Sequence, residues 1–175
     1  MNPHANLPPS PWVVRFADLV PASGTVLDLA AGGGRHTRFF LDRGHAILAV
    51  DIDTAGLADL AEVPRVEVLQ ADLENAPWPL GARRFAGVVV TNYLWRSLLP
   101  AIVAAVAPGG VLIYETFARG NERFGKPSNP DFLLRDGELL EAVRGRLGVV
   151  AYECLEVDEP KRAMVQRIAA VRGAD

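Results

Sequence analysis

Apolar positions in this chain come in short bursts of strand length, separated by segments in which they recur three and four residues apart. The bursts fall at 25–29, 46–51, 66–70, 86–91 and 111–116. Several of them, such as AILAVD and AGVVVT, carry almost no charge along their length, the pattern of strands covered on both faces. Between the bursts, helices are predicted at 35–43, closed by Gly44 as a C-cap, at 55–61, and at 97–107 with Pro100 in its first turns. Ser10-Pro11 followed by Trp12, Val13, Phe16, Leu19 and Val20 predicts a capped amphipathic helix that Pro21 ends. Beyond the fifth burst, residues 117–136 hold two prolines, two glycines and two asparagines and read as a long loop or lid. A helix at 138–147 follows. The segments 149–157 and 163–171 then flank the turn at 158–161 as a hairpin.

This alternation predicts an α/β fold, a Rossmann-like doubly wound sheet of seven strands, mostly parallel with a C-terminal antiparallel hairpin. No repeat or linker divides the 175 residues, so 1–175 reads as one domain, with an N-terminal arm and helix at 1–23. Residues 1–11 hold prolines and lack the charged-then-apolar pattern of a signal peptide. Half of the residues are apolar and 22% are charged, enough to build a packed core. The net charge of -3 argues against a general nucleic-acid binder, and the apolar runs fall far short of the roughly 18–20 residues of a membrane span. Cys154 is the single cysteine, so no internal disulfide forms and a cytoplasmic location is expected. No metal site is expected.

The candidate chemistry starts at LDLAAGGGRHTRFF, residues 27–40. In a doubly wound sheet, ligands bind beyond the carboxyl ends of the strands, where the strand order reverses. Gly32, Gly33 and Gly34 follow the first strand and open a helix, so backbone there is able to approach a ligand closely. A dinucleotide fingerprint, G-x-G-x-x-G, fits poorly, because Thr37 stands at the third small position. The pattern D-x-G-x-G-x-G fits from Asp28, with Ala30 in place of the first glycine. Asp51 ends the second strand, where a carboxylate suits the ribose of either NAD or S-adenosylmethionine. Asp72 follows the third strand, and Pro108-Gly109-Gly110 precedes the fifth.

With these features in register, the chain resembles the class I S-adenosylmethionine-dependent methyltransferases over about 24–171. The resemblance implies that Asp28 and the loop at Ala30, Gly32 and Gly34 hold the amino-acid end of S-adenosyl-L-methionine. Loop N–H groups would face its carboxylate. Arg35 would bond that carboxylate or local backbone. Asp51 would accept the ribose hydroxyls and Ile52 would pack on the adenine, while Asp53 reads from the sequence alone as a cap of the following helix. Asp72 would accept from the adenine amino group and Leu73 would offer its backbone N–H. An antiparallel last strand beside strand five is implied too. A narrower resemblance, through GEL at 137–139 and the overall layout, is to small tellurite-resistance-type and thiol methyltransferases.

Methyl transfer from a sulfonium is an in-line displacement served by alignment and exclusion of water. The acceptor side is expected beyond strands four and five. Asn92, Tyr93 and Glu115 are its candidates, Asn92 also being a candidate for the cofactor side. Tyr93 would orient substrate or pack under the lid; Tyr114 and Glu115 would face either the core or the pocket. Trp95 reads as packing and His36 as a helix-surface residue. In the lid, Arg119, Arg123 and Lys126 interleave with Phe117, Phe124 and Phe132, suiting an apolar or anionic small substrate or a solvated loop. The expected function is methyl transfer to a small-molecule acceptor. A nicotinamide-dependent oxidoreductase and a non-catalytic module binding S-adenosylmethionine or S-adenosylhomocysteine are the alternatives.

Overall fold

The computed structural model describes residues 7–175; the first six residues of the arm expected at 1–23 lie outside the described residues. Five strands, β1 (Thr25–Leu29), β2 (Ala46–Asp51), β3 (Val66–Gln70), β4 (Phe85–Thr91) and β5 (Val106–Phe117), run parallel. Two more, β6 (Gly148–Val157) and β7 (Ala163–Val171), form the C-terminal hairpin. Among the described residues these make one seven-stranded sheet in the order β3-β2-β1-β4-β5-β7-β6, with β7 antiparallel to β5. The order reverses between β1 and β4, so the crevice of a doubly wound sheet opens at their carboxyl ends.

Strand alternation divides the core between the two faces. Leu27, Leu29, Val88, Val90, Leu112 and Tyr114 point to the face covered by α3 (Leu99–Ala104) and α4 (Glu138–Val143). Val26, Val89, Val111 and Ile113 point to the other, where Trp12, Val13 and Phe16 of α1 (Pro11–Phe16) meet Phe40 of α2 (Arg35–Asp42). Ser10 caps α1 by accepting from the Trp12 N–H at 3.2 Å, with Pro11 at the first helical position.

The helices are shorter than the pattern predicts. The first continues only as a 3₁₀ turn, Ala17–Leu19, and 55–61 is a 3₁₀ turn, Ala55–Leu60, which buries Leu57 and Leu60 three residues apart. The helix expected at 97–107 is a turn, Arg96–Leu98, followed by α3, because Val106 already pairs with Phe85 in the sheet. Pro108-Gly109-Gly110 therefore lies within β5, at a register shift, where it was expected to stand before the strand. A Cβ on Gly110 would stand 2.8 Å from the Phe85 carbonyl oxygen, so only glycine fits there.

Candidate functional site

Two cavities adjoin at the carboxyl ends of the strands. The first, about 330 Å³, is walled by Ala30 after β1, Asp51 and Ile52 after β2, the segment 71–75 after β3, and Tyr93 after β4. The second, about 290 Å³, lies between Asn92, Tyr93 and Leu94 after β4, Thr116 and Phe117 at the end of β5, and Pro127 and Phe132 of the 117–136 loop. Glu74 and Tyr93 belong to both walls. Each charged side chain on these walls is acidic: Asp51, Asp72 and Glu74.

Asp51 joins the end of β2 to the glycine loop. One carboxylate oxygen accepts from the Gly32 N–H at 2.7 Å, the other from the Asp53 N–H at 3.0 Å. Asp53 in turn accepts from the Ala55 N–H, a local cap. Ile52 is 60% exposed at the mouth of the first cavity, an apolar surface open to a partner. Asp72 accepts from the Asn75 N–H and side-chain amide and from the Glu74 N–H, each at 3.0 Å, which fixes the 72–75 turn and holds its carboxyl below the usual range. Leu73 is buried within that turn.

The glycine loop is built for shape. Gly32 and Gly34 have φ of 55° and 78°, and a Cβ on Gly34 would stand 2.6 Å from Leu57. Ala30 takes φ of 55° as well, a left-handed conformation that explains why glycine belongs to the pattern there. The expectation that loop N–H groups await a ligand carboxylate needs correction at two positions. Gly32 donates to Asp51, and Gly34 donates to the Ala31 carbonyl at 2.9 Å.

Asp28 needs a correction too, because it lines neither cavity. It is buried beneath α2 and accepts from the Thr37 hydroxyl at 2.7 Å. Burial pushes its pKa up to about 6, against the hydrogen bonds from Thr37. Arg35 takes the local alternative and donates to the Pro8 carbonyl at 3.2 Å. His36 is not on the helix surface: its Nε2 accepts from the Ser10 N–H at 3.0 Å, and burial pushes its pKa down to about 3.

On the acceptor side, Asn92 has φ of 54°, which asparagine tolerates, and lines the second cavity but not the first. The Tyr93 hydroxyl is buried close to the Glu74 side chain, with no hydrogen bond of full geometry; burial, and then the charge and hydrogen-bonding proximity of Glu74, raise its pKa. Tyr114 resolves to the core and donates to the Tyr93 carbonyl at 2.7 Å. Glu115 faces away from both cavities. It shares the face of Ile113, accepts from the Ser10 hydroxyl at 2.6 Å and pairs with Arg167 at 3.0 Å, so its acceptor-side candidacy is corrected to a structural one.

The loop at 117–136 is tied down at its base. Ala118 bridges to Leu134, and Asn121 holds both the Pro127 carbonyl and the Met164 N–H. Arg96, which sequence reasoning missed, donates to the carbonyls of Asp131 and Leu133 and pairs with Glu138 at 2.7 Å. No local pattern marks Arg96, since its partners lie 35 to 42 residues away. The loop's cations do not serve the cavity: Arg123 pairs with Glu156 and, with Arg162, flanks Phe124, while Arg119 and Lys126 line neither wall. Among the described residues, no group of His, Cys, Asp and Glu is placed to hold a metal ion, and no helix is long and apolar enough to cross a membrane.

Residues 26–110 match the profile of a family described as "Methyltransferase domain". Among solved structures, the chain is similar to 1,6-didemethyltoxoflavin-N1-methyltransferase of Burkholderia thailandensis, bound to 1,6-didemethyltoxoflavin and S-adenosylhomocysteine. That likeness has 22% identity and a TM-score of 0.68 and covers 93% of this chain and 76% of that one. TehB from Haemophilus influenzae is similar at 18% identity and a TM-score of 0.71, over 92% of this chain and 61% of TehB. The glycopeptide N-methyltransferase MtfA, complexed with S-adenosyl-L-homocysteine, is similar at 24% identity and a TM-score of 0.64, over 95% and 91%. No curated protein sequence matches the chain significantly. The structural likenesses establish the fold, and the profile match, over 26–110, agrees with the methyltransferase resemblance read from the sequence.

Proposed function

We propose that this chain, which carries a methyltransferase domain, transfers a methyl group from S-adenosyl-L-methionine to a small-molecule acceptor. The observation that carries the reading is the pair of cavities meeting at Glu74 and Tyr93. A donor in the first and an acceptor in the second would react across their shared wall. The first cavity's acidic side chains suit a cationic sulfonium ligand better than the pyrophosphate of a dinucleotide. In this reading Asp51 holds the ribose, Ile52 covers the adenine, and Asp72 with the Leu73 N–H meets the adenine edge. Ala30 and the Gly32–Gly34 loop border the methionine end, with Asp28 supporting the loop from beneath. Arg35 keeps the arm in place. Asn92 and Tyr93 stand on the acceptor side. When bound, the sulfonium supplies an electrophilic methyl carbon; the protein aligns the acceptor and excludes water.

The whole chain works as one domain in this proposal, with 117–136 covering the acceptor. A cytoplasmic setting agrees with the single cysteine, Cys154. Small methyl acceptors in the toxoflavin and glycopeptide enzymes support the substrate class. Calorimetry with S-adenosylmethionine, S-adenosylhomocysteine and NAD tests the reading. Saturable binding of both sulfur nucleosides is expected, weakened about tenfold or more in Asp51→Ala by loss of hydrogen bonds to a charged group. Saturable NAD binding without either sulfur nucleoside would refute it. Binding without turnover against thiol, metalloid, amine and phenol panels would instead identify a non-catalytic sensor.

A further inference from the structure

We infer that the methyl acceptor is a small aromatic molecule bearing a basic nitrogen, seated in the second cavity with that nitrogen beside Glu74 and the Tyr93 hydroxyl. This rests on the methyl-transfer reading and names the substrate class of the same site.

The second cavity's walls are mostly apolar and aromatic, with Tyr93, Phe117 and Phe132 around the space and Thr116 as a neutral hydroxyl. Its one charged wall residue is Glu74. A carboxylate among aromatic faces attracts an ammonium or a protonated ring nitrogen and repels a carboxylate or phosphate. Phe132 is 42% exposed, so its ring offers apolar surface that a flat ligand would cover. The Tyr93 hydroxyl adds a second pointer. It is buried close to the Glu74 side chain without a hydrogen bond of full geometry, so a ligand N–H or lone pair seated between the two would complete its partners. Its raised pKa keeps the phenol neutral and able either to donate or to accept. Size agrees, since about 290 Å³ is at the small end for ligand pockets.

Glu74 is shared with the first cavity, so the nitrogen it holds lies on the donor side of the acceptor site. A protonated amine must first lose a proton, which passes to the Glu74 carboxylate and on to solvent. The freed nitrogen lone pair then forms the bond to the methyl carbon, while the carbon–sulfur bond breaks and its electron pair stays on sulfur. The products are the methylated ammonium, the neutral thioether and one released proton.

The test is binding, read by calorimetry and ligand-observed NMR on the full chain. S-adenosylhomocysteine is titrated first; absence of its binding overturns the methyl-transfer reading itself. With that ligand saturating, 2-phenylethylamine and 3-phenylpropionate, matched in shape and opposite in charge, are titrated into the wild type, Glu74→Gln and Tyr93→Phe. The amine is expected to bind about tenfold tighter than the acid in the wild type, equivalent to about 1.4 kcal/mol. Glu74→Gln is expected to abolish that preference, and Tyr93→Phe to weaken the amine while keeping the preference. If S-adenosylhomocysteine binds but the acid binds as well as the amine, neither probe binds, or the preference survives Glu74→Gln, the acceptor inference fails and methyl transfer stands.

Discussion

At the scale of single residues, Ala30 concentrates the tension between sequence and backbone. Its φ of 55° is a conformation that costs an L-residue about 1–2 kcal/mol, whereas glycine adopts it freely. Replacing it with glycine also frees the unfolded chain, which offsets about 0.4–1 kcal/mol. Ala30→Gly is therefore expected to stabilise the protein by about 0.5–1 kcal/mol, raising its melting temperature by about 2 °C for a chain of this size. Thermal unfolding followed by circular dichroism checks this. A lower melting temperature would mean that the methyl group packs usefully on the cavity wall. The single methyl that stands out in the motif is thus a local strain, and it borders the cavity proposed for the cofactor.

Among elements, the 117–136 loop depends on one side chain. Arg96 is partly buried and ties two loop carbonyls to Glu138 at the start of α4. Burial alone would raise the pKa of Glu138, but hydrogen bonds from Arg96 and the Arg135 N–H bring it below the usual range. Arg96→Ala leaves these partners unsatisfied at a cost of about 2 kcal/mol. Hydrogen exchange is expected to lose protection at Leu133 and Leu134 and to be unchanged in β1 and β4; equal loosening of the sheet would show a global role instead. The strands and their order of appearance were legible because periodicity is local: AILAVD and AGVVVT declare buried strands unaided. Helix ends were not, because a long-range pairing, Val106 with Phe85, ends α3 early. The glycine loop and the acids after β2 and β3 were readable from spacing. Glu115 was misread because its partners, Ser10 and Arg167, come from opposite ends of the chain. Glu74 and Arg96 carried no signal, since each acquires its place only when distant segments meet.

Over the whole molecule, two buried titratable groups act on stability in opposite directions. Asp28 has its folded pKa raised from 3.8 to about 6 by burial, so the folded state binds its proton more tightly than the unfolded chain does. The stability it contributes is complete below about 4 and is lost as pH rises through 6, a swing of about 3 kcal/mol. His36 has its folded pKa lowered from 6.5 to about 3, by burial and then by Arg35. Its contribution is complete above 6.5 and is lost as pH falls toward 3. Between pH 4 and 6 the two slopes oppose each other, and the wild type is expected to change little there. Each variant exposes the other group. Asp28→Asn removes the carboxylate that gains a proton, so stability should fall more steeply on acidification. His36→Gln, which keeps an acceptor for the Ser10 N–H, should reverse the slope and make the protein more stable at pH 4 than at pH 6. Urea denaturation midpoints of the three proteins at pH 4, 5, 6 and 7 measure this. Parallel pH profiles would overturn the assignment, because the opposing slopes require both groups to be buried in these charge states.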